Sequence, residues 1–228
     1  LYDKITTAEI DKALILSARE KIEKEPNYSY AAARILLNCI YKEVFKEGVD
    51  SDAFELQYRK SFIQNTKHLV KNNRLDKRLL SFDLKRLSEA IVLDNDLKFK
   101  YLGIQTLTDR YFIREDDKIM EAPQCFWMRV AMGLAINEKD KDARAIEFYN
   151  LMSSLLYTPS TPTLFNSGTT HSQLSSCYLN TFDDSIDGIF DGAWQEARKS
   201  KFAGGLGLDV TPFRSTGSHI EGTNGISS

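Results

Sequence analysis

Residues able to hold a small polar ligand such as a sugar or phosphate gather in the last third of the chain. Ser160-Thr161-Pro162 comes first, then Ser175-Ser176-Cys177, then Lys201 and Ala203-Gly204-Gly205-Leu206-Gly207. Arg214-Ser215-Thr216-Gly217-Ser218 and Glu221-Gly222-Thr223-Asn224-Gly225 follow. Hydroxyls at such places can hydrogen-bond a sugar or a phosphate while proline fixes the backbone. They also occur as plain turn formers beside strands, and that reading stays open. Cys177 taken alone reads as a small buried apolar residue. The glycine run offers backbone amides to an anion or lets a ligand approach closely. It is not a P-loop, since no Gly-Lys-Ser/Thr ending follows, and no helix opens from it as a dinucleotide fold requires. As an isolated signal the run is weak, and a packing role for these glycines is the ordinary reading.

Arg214 could grip a phosphate bidentately or simply be solvated. Asp183-Asp184-Ser185 reads first as a helix cap with favourable charge, with a ligand role as the alternative. His68, His171 and His219 lack carboxylate or cysteine companions at ligand spacing, so no metal site is expected. No serine, histidine and acid motif of hydrolase type is present. Cys39 and Cys125 fall within helical stripes and read as core.

The elements that must position these groups change in texture along the chain. Only Gly48, Gly103 and Gly133 precede residue 150, and the other nine of the 12 glycines follow it. The front reads as successive helices. Thr6 or Thr7 caps the first, with a stripe Ile10, Leu14, Ala18 and Ile22, and Pro26 ends it. Tyr30-Ala31-Ala32-Ala33-Arg34 opens a second that buries Ile35, Cys39, Ile40 and Val44. Further helices are expected around 52–71, 83–93, 97–108, from Ala122-Pro123 onward, and around 141–155. After Leu156 come short apolar runs broken by turn formers. Thr163-Leu164-Phe165 and Cys177-Tyr178-Leu179 read as buried strands, and Gly207-Leu208-Asp209-Val210 as another. Ser185 starts a helix with the stripe Ile186, Ile189, Phe190, Ala193, Trp194 and Ala197. The fold class is therefore α/β, with a helical front and an α/β layer beginning late and too short to close.

Bulk properties narrow the function. Formal net charge is -2 without a basic or acidic block, which gives nonspecific nucleic-acid or membrane binding no electrostatic support. No apolar run is long enough to span a bilayer, and the N-terminus is not a signal peptide. The three widely spaced cysteines fit a reducing cytoplasm rather than a disulfide framework. Leu1 is not an initiator methionine, so residues are expected before it, and the unclosed strand layer anticipates residues after Ser228.

The order of the motifs carries more than any one of them. Ser160-Thr161-Pro162-Thr163-Leu164-Phe165-Asn166-Ser167-Gly168, Gln173-Leu174-Ser175-Ser176-Cys177, Asp184-Ser185, Ala203-Gly204-Gly205-Leu206-Gly207, Arg214-Ser215-Thr216-Gly217-Ser218 and Gly222-Thr223-Asn224-Gly225 succeed one another. Together they resemble the large catalytic subunit of ribonucleotide reductase, class I in particular. Pro123-Gln124 and Trp127-Met128-Arg129-Val130-Ala131 are similar to the helical region before that family's barrel. The resemblance implies a helical N-terminal domain followed by the first strands of a ten-stranded α/β barrel, incomplete in this chain. On that basis residues 1–46 resemble the end of an ATP-binding cone, 47–156 the helical domain, and 157–228 the start of the barrel. The cone's first strand and nucleotide loop are not among residues 1–46.

The resemblance also implies roles. Cys177 matches one of two cysteines that reduce the substrate and become a disulfide. Thr161, Ser176 and Gly205 match substrate-contacting positions, with Ser160 beside them. Asp184, Ser185, Ile186, Lys201, Arg214 and Ile220 match a specificity site, where a deoxynucleoside triphosphate selects the substrate at a homodimer interface. The radical cysteine, the acid/base carboxylate and the second reducing cysteine belong to later barrel strands. Implied partners are a ribonucleotide substrate, dNTP or ATP effectors, a metal-bearing small subunit that supplies the radical, the remainder of the barrel, and thioredoxin or glutaredoxin as reductant. No cofactor is implied in this chain itself. Two alternatives stand beside this: a nucleotide-binding regulatory or assembly fragment without chemistry of its own, and the adenosylcobalamin-dependent class. Whether substrates are di- or triphosphates is open.

Overall fold

Thr6 sets the first helix through a capping box. Its hydroxyl accepts the Glu9 amide at 3.3 Å, and the Glu9 carboxylate returns to the Thr6 amide at 2.8 Å, opening α1 (Thr7–Arg19). The computed structural model describes residues 4–46, 48–202 and 204–227. Of the expected α1 stripe, Ala18 is buried but Leu14 is exposed, because α1 turns Ile15 rather than Leu14 to the core. α2 (Tyr28–Phe45) starts before Tyr30 and buries Leu36, Leu37, Ile40 and Val44. Cys39 is half-buried outside that stripe, one correction to its reading as core.

α3 (Phe54–Lys71), α4 (Leu84–Ala90), α5 (Tyr101–Arg110), α6 (Pro123–Ala135) and α7 (Lys141–Ser153) complete the helical front, with 3₁₀ turns at Lys77–Ser81 and Leu93–Lys98. α6 starts with Pro123, whose missing amide costs nothing in a first turn. It is buried all round, Cys125 and Arg129 on one side and Trp127 on the opposite one, and so forms the centre of the core. Tyr41, Phe45, Phe54 and Tyr58 make a ring cluster with centroids 5.0 to 6.0 Å apart. Beneath it lies Asp96, which accepts from Tyr41 Oη at 2.6 Å, Tyr58 Oη at 2.9 Å and Gln124 Nε2 at 2.8 Å. Burial pushes the Asp96 carboxyl up to about 6, against the opposing pull of those three donors. Among the described residues, no helix is long and apolar enough to cross a membrane.

A hairpin absent from the sequence reading joins α5 to α6. β1 (Arg114–Glu115) pairs antiparallel with β2 (Lys118–Ile119). Its turn residues Asp116 and Asp117 both adopt positive φ, the two-residue geometry usually signalled by Asn-Gly or Asp-Gly. The hairpin is fastened to α3, where the Glu115 carboxylate bonds His68 Nε2 and accepts Asn72 Nδ2 at 2.6 Å. The fold thus gives His68 an acidic companion that its spacing in the sequence does not.

The expected strand at Thr163-Leu164-Phe165 is instead part of α8 (Thr161–Asn166). Thr163 and Leu164 are buried while Phe165 faces outward, and Ser167 N donates to Thr163 O at 3.0 Å. A three-residue apolar run does not distinguish helix from strand, and Pro162 fits a first helical turn.

The described residues form two compact units. One holds residues up to Pro159 together with Thr163–Ser172, and the other holds Ser160–Pro162 with Gln173 onward. In the second unit β3 (Cys177–Thr181), α9 (Ile186–Lys201) and β4 (Gly205–Asp209) form a strand-helix-strand crossover with parallel pairing. β4 begins at Gly205, two residues earlier than expected, and ends before Val210. The strands are not buried as expected: Leu179 is 86% exposed. Among the described residues of this unit, β3 and β4 form a two-stranded sheet with no third strand. This matches a barrel that has begun and not closed.

Candidate active and effector sites

The parallel register sets Cys177 opposite Gly205. Gly205 N donates to Ser176 O at 2.7 Å, which closes the start of the strand pair. A side-chain carbon at 205 would lie 3.4 Å from Cys177 Sγ and 3.3 Å from Ser176 O. Glycine there keeps the approach to an exposed thiol open. The neighbouring Gly204 has a packing role, because a Cβ would come within 2.7 Å of the Tyr178 ring. The packing reading of the glycine run thus holds at Gly204, while Gly205 leaves space beside the thiol; Ala203 lies outside the described residues. Ser160 and Thr161 belong to the same compact unit as Ser176, Cys177 and Gly205, and both are exposed, Thr161 as the first residue of α8.

Three of the expected effector residues meet at the start of α9. Ser185 caps the helix, its Oγ accepting Gly188 N at 3.0 Å. Asp184 takes the Arg214 side chain, with Nε to Oδ2 at 2.6 Å, and also the Arg214 backbone amide at 3.2 Å. A further guanidinium nitrogen reaches Asp184 O at 3.2 Å. Arg214 is therefore not the solvated loop residue that position alone suggests. Ile186 is exposed just beyond the cap. Ile220 is half-buried in a small antiparallel turn, where Ile220 N donates to Gly225 O at 3.0 Å and His219 bridges Ile226. What reads as a loose polar loop is hydrogen-bonded. Lys201 stands apart. It closes the 16-residue α9, about 24 Å along the axis from Ser185, and the two ends of one helix do not share a small ligand.

Besides Asp96, three buried charged residues escape the sequence reading, Glu196 and the pair Glu121 and Arg129. Glu196 on the polar side of α9 is 7% exposed, bonds Asn180 Nδ2 and takes Lys199 Nζ at 3.2 Å, tying the helix to β3. Glu121 and Arg129 form a buried pair in the helical unit, with Nε to Oε1 at 2.5 Å and a second nitrogen to Oε2 at 3.2 Å. A lone acid or arginine on an apolar helix is the only signal for either, and it does not name the partner. Burial also raises the Cys39 and Cys125 thiols, which makes both poor nucleophiles. Among the described residues, no three His, Cys, Asp or Glu side chains come together where they could hold a metal.

Residues 97–172 match the family model described as "Ribonucleotide reductase, all-alpha domain", and residues 175–228 match "Ribonucleotide reductase, barrel domain". The chain is 48% identical over 229 residues to a ribonucleoside-diphosphate reductase subunit alpha of Chlamydia muridarum, covering 99% of this chain and 22% of that protein. A ribonucleoside-diphosphate reductase large subunit of Danio rerio is 40% identical over 230 residues, covering 100% of this chain and 28% of its own length. A subunit alpha from Helicobacter pylori is 40% identical over 222 residues, at 96% and 27%. The chain thus spans about a quarter of the length of these relatives.

Proposed function

Because the chain belongs to the ribonucleotide reductase family, we propose that it forms part of the catalytic subunit of a ribonucleoside-diphosphate reductase. In this reading the substrate's 2′-hydroxyl leaves as water and two thiols become a disulfide, so that one ribonucleotide and two thiols give one deoxyribonucleotide, one disulfide and one water. Cys177 is one of those thiols. Ser160, Thr161, Ser176 and Gly205 line the substrate's place, with hydroxyls for sugar or phosphate oxygens and a bare backbone beside sulfur. Carboxylate, radical cysteine and second reducing thiol come from the remaining barrel strands, in keeping with the short share of the relatives' length covered here.

Asp184, Ser185, Ile186, Arg214 and Ile220 form the effector site for a deoxynucleoside triphosphate, with Lys201 contributed from the far end of α9. A homodimer reconciles that separation, since the far end of one α9 can meet the near end of another. The radical comes from a metal-bearing small subunit, the reductant is thioredoxin or glutaredoxin, and the working compartment is the cytoplasm. Residues 1–46 correspond to a cone-like region, 47–156 to the helical domain and 157–228 to the barrel.

The observation that carries the reading is the exposed Cys177 thiol facing Gly205 across the register. The test is differential alkylation of the full-length polypeptide before and after one turnover without external reductant, beside Cys177→Ser. Cys177 should lose its label after turnover, and the serine variant should fail to turn over. Unchanged labelling with sustained turnover by Cys177→Ser would remove the assignment.

A further inference from the structure

We infer that a cavity within the helical unit binds a nucleotide, with its phosphates on Arg74 and Arg110 and its base against Phe165. The cavity holds about 440 Å³, a size that accommodates a small ligand. All of its walls come from that one unit: the turn after α3, the end of α5 with the start of the hairpin, and residues 165–171. It shares no residue with the substrate and effector positions proposed above, and so stands apart from that reading.

The walls are pinned by the unit's own bonds. Thr170 N donates to Arg74 O at 3.3 Å, Thr170 Oγ1 to Asn73 O at 3.1 Å, and Asp76 N to Gly168 O at 3.0 Å. Leu75 and Thr169 form an antiparallel bridge between the same two segments. Across the cavity Arg114 is fixed by two carbonyls, Nη1 on Asp117 O at 2.8 Å and Nη2 on Thr108 O at 3.0 Å. A frame held in this way has little freedom left to lose on binding.

Charge is what the frame leaves unbalanced. Among the described residues, Arg74, Arg110 and Arg114 line the cavity with a single carboxylate, Asp109. Asp109 is engaged by Gln105 Nε2 at 2.7 Å. The arginine ion pairs among the described residues are those of Arg59, Arg78, Arg129, Arg144 and Arg214. The three cavity arginines therefore share one concave surface without a carboxylate partner, and the positive potential they concentrate there draws an anion. Guanidinium is also the group that takes phosphate bidentately.

An aromatic surface adjoins these cations. The Tyr111 and Phe165 rings meet with centroids 4.8 Å apart, and the Arg110 guanidinium lies 5.9 Å from the Tyr111 centroid. Phe165 is 38% exposed. A large ring left partly open beside cations suits a flat base, which stacks on an aromatic face whatever its identity. A bare inorganic anion would use the arginines and leave the ring idle.

The test is photolabelling of the full-length subunit with azido-ATP, with the labelled peptides identified by mass spectrometry. Label is expected within residues 109–114 or 165–171, on peptides distinct from those of the effector site. Arg74 and Arg110 are exposed, so replacing them leaves the core alone. Arg74→Gln and Arg110→Gln should each weaken labelling of these peptides about tenfold in concentration, the loss of one charged hydrogen bond. Phe165→Ser should weaken it by a similar factor through lost stacking, while displacement by tripolyphosphate stays as in the parent. No label on these peptides, or label unchanged in both arginine variants, would overturn the inference. Tripolyphosphate competing as well as ATP would leave a plain anion site and overturn the assignment of a nucleotide.

Discussion

Cys177 Sγ borders the space above Gly205: a Cβ at 205 would sit 3.4 Å from the sulfur. Contact at that distance is tight without being forbidden, so the strand pair should survive a methyl group. Gly205→Ala is expected to fold with a melting temperature near that of the parent while kcat/KM falls about tenfold or more, since the methyl occupies the approach to the thiol. Alkylation of Cys177 in the resting protein should slow in parallel. Full activity in Gly205→Ala would mean that substrate does not reach the sulfur from this side.

The Asp184–Arg214 pair makes a different prediction. Arg214 is held in place by three bonds to Asp184, so either residue should matter to a bound triphosphate. Losing a charged phosphate contact costs about 1.5–3 kcal/mol, or roughly ten- to a hundredfold in affinity. Titration of deoxynucleoside triphosphates should show that loss for Arg214→Ala, and a smaller one for Asp184→Asn, which frees the arginine without removing it. Equal affinities in wild type and Arg214→Ala would take Arg214 out of the site.

What was legible in the sequence followed periodicity. The helices of the front and α9 with its Ser185 cap show a 3.6-residue stripe or a capping residue, and the structure has them within a few residues. Failures fall where the local signal is short or the partner distant. Thr163-Leu164-Phe165 is too brief to carry a period, and the α5–α6 hairpin turns on two aspartates rather than on glycine. The candidate site was legible as residue types, but its couplings were not: Asp184 with Arg214 spans 30 positions in the chain and Asn73 with Thr170 spans 97. Only the fold brings such pairs together, and no spacing rule announces them.

Asp96 gives the helical unit a pH dependence whose sign can be worked out. Its carboxyl is raised from 3.8 to about 6, so the folded state binds a proton more tightly than the unfolded chain. Stability from this group is fully present below about pH 4 and is lost as pH rises through about 6, on the order of 3 kcal/mol in all. Asp76, Glu115 and Asp209 are shifted the other way by their hydrogen-bond partners, chiefly Arg78, His68 and Thr211 respectively. The contributions of Asp76 and Asp209 fade only as pH falls below the usual carboxylate range, so these two are constant between pH 5 and 7. Urea unfolding across that window should show stability declining in the parent and flat in Asp96→Asn. A parent as stable at pH 7 as at pH 5, matching the asparagine variant, would show that the three donors hold Asp96 ionised throughout.

The apolar side of α9 poses the last question, which is what covers it. Ile186 is 75% exposed, Phe190 72% and Trp194 57%, at four-residue spacing along one face. Only Gly192 and Glu196 of this helix are buried, so its inward side is already taken by β3 and β4. A second α9 laid against the exposed stripe would bury it by helix-on-helix packing and bring Lys201 toward the partner's Asp184 end. Each substitution in such an interface counts twice, once per copy. Burying a phenylalanine is worth about 2 kcal/mol, so Phe190→Asp in the full-length subunit should weaken the dimer by about 4 kcal/mol, roughly a thousandfold. Sedimentation at micromolar concentration should then show monomers, with effector affinity falling alongside. Should the stripe be covered by later segments of the same polypeptide, Phe190→Asp would lower the melting temperature equally at all protein concentrations and leave the sedimentation coefficient unchanged. That outcome would make the stripe core and would leave the distance between Lys201 and Asp184 without its explanation.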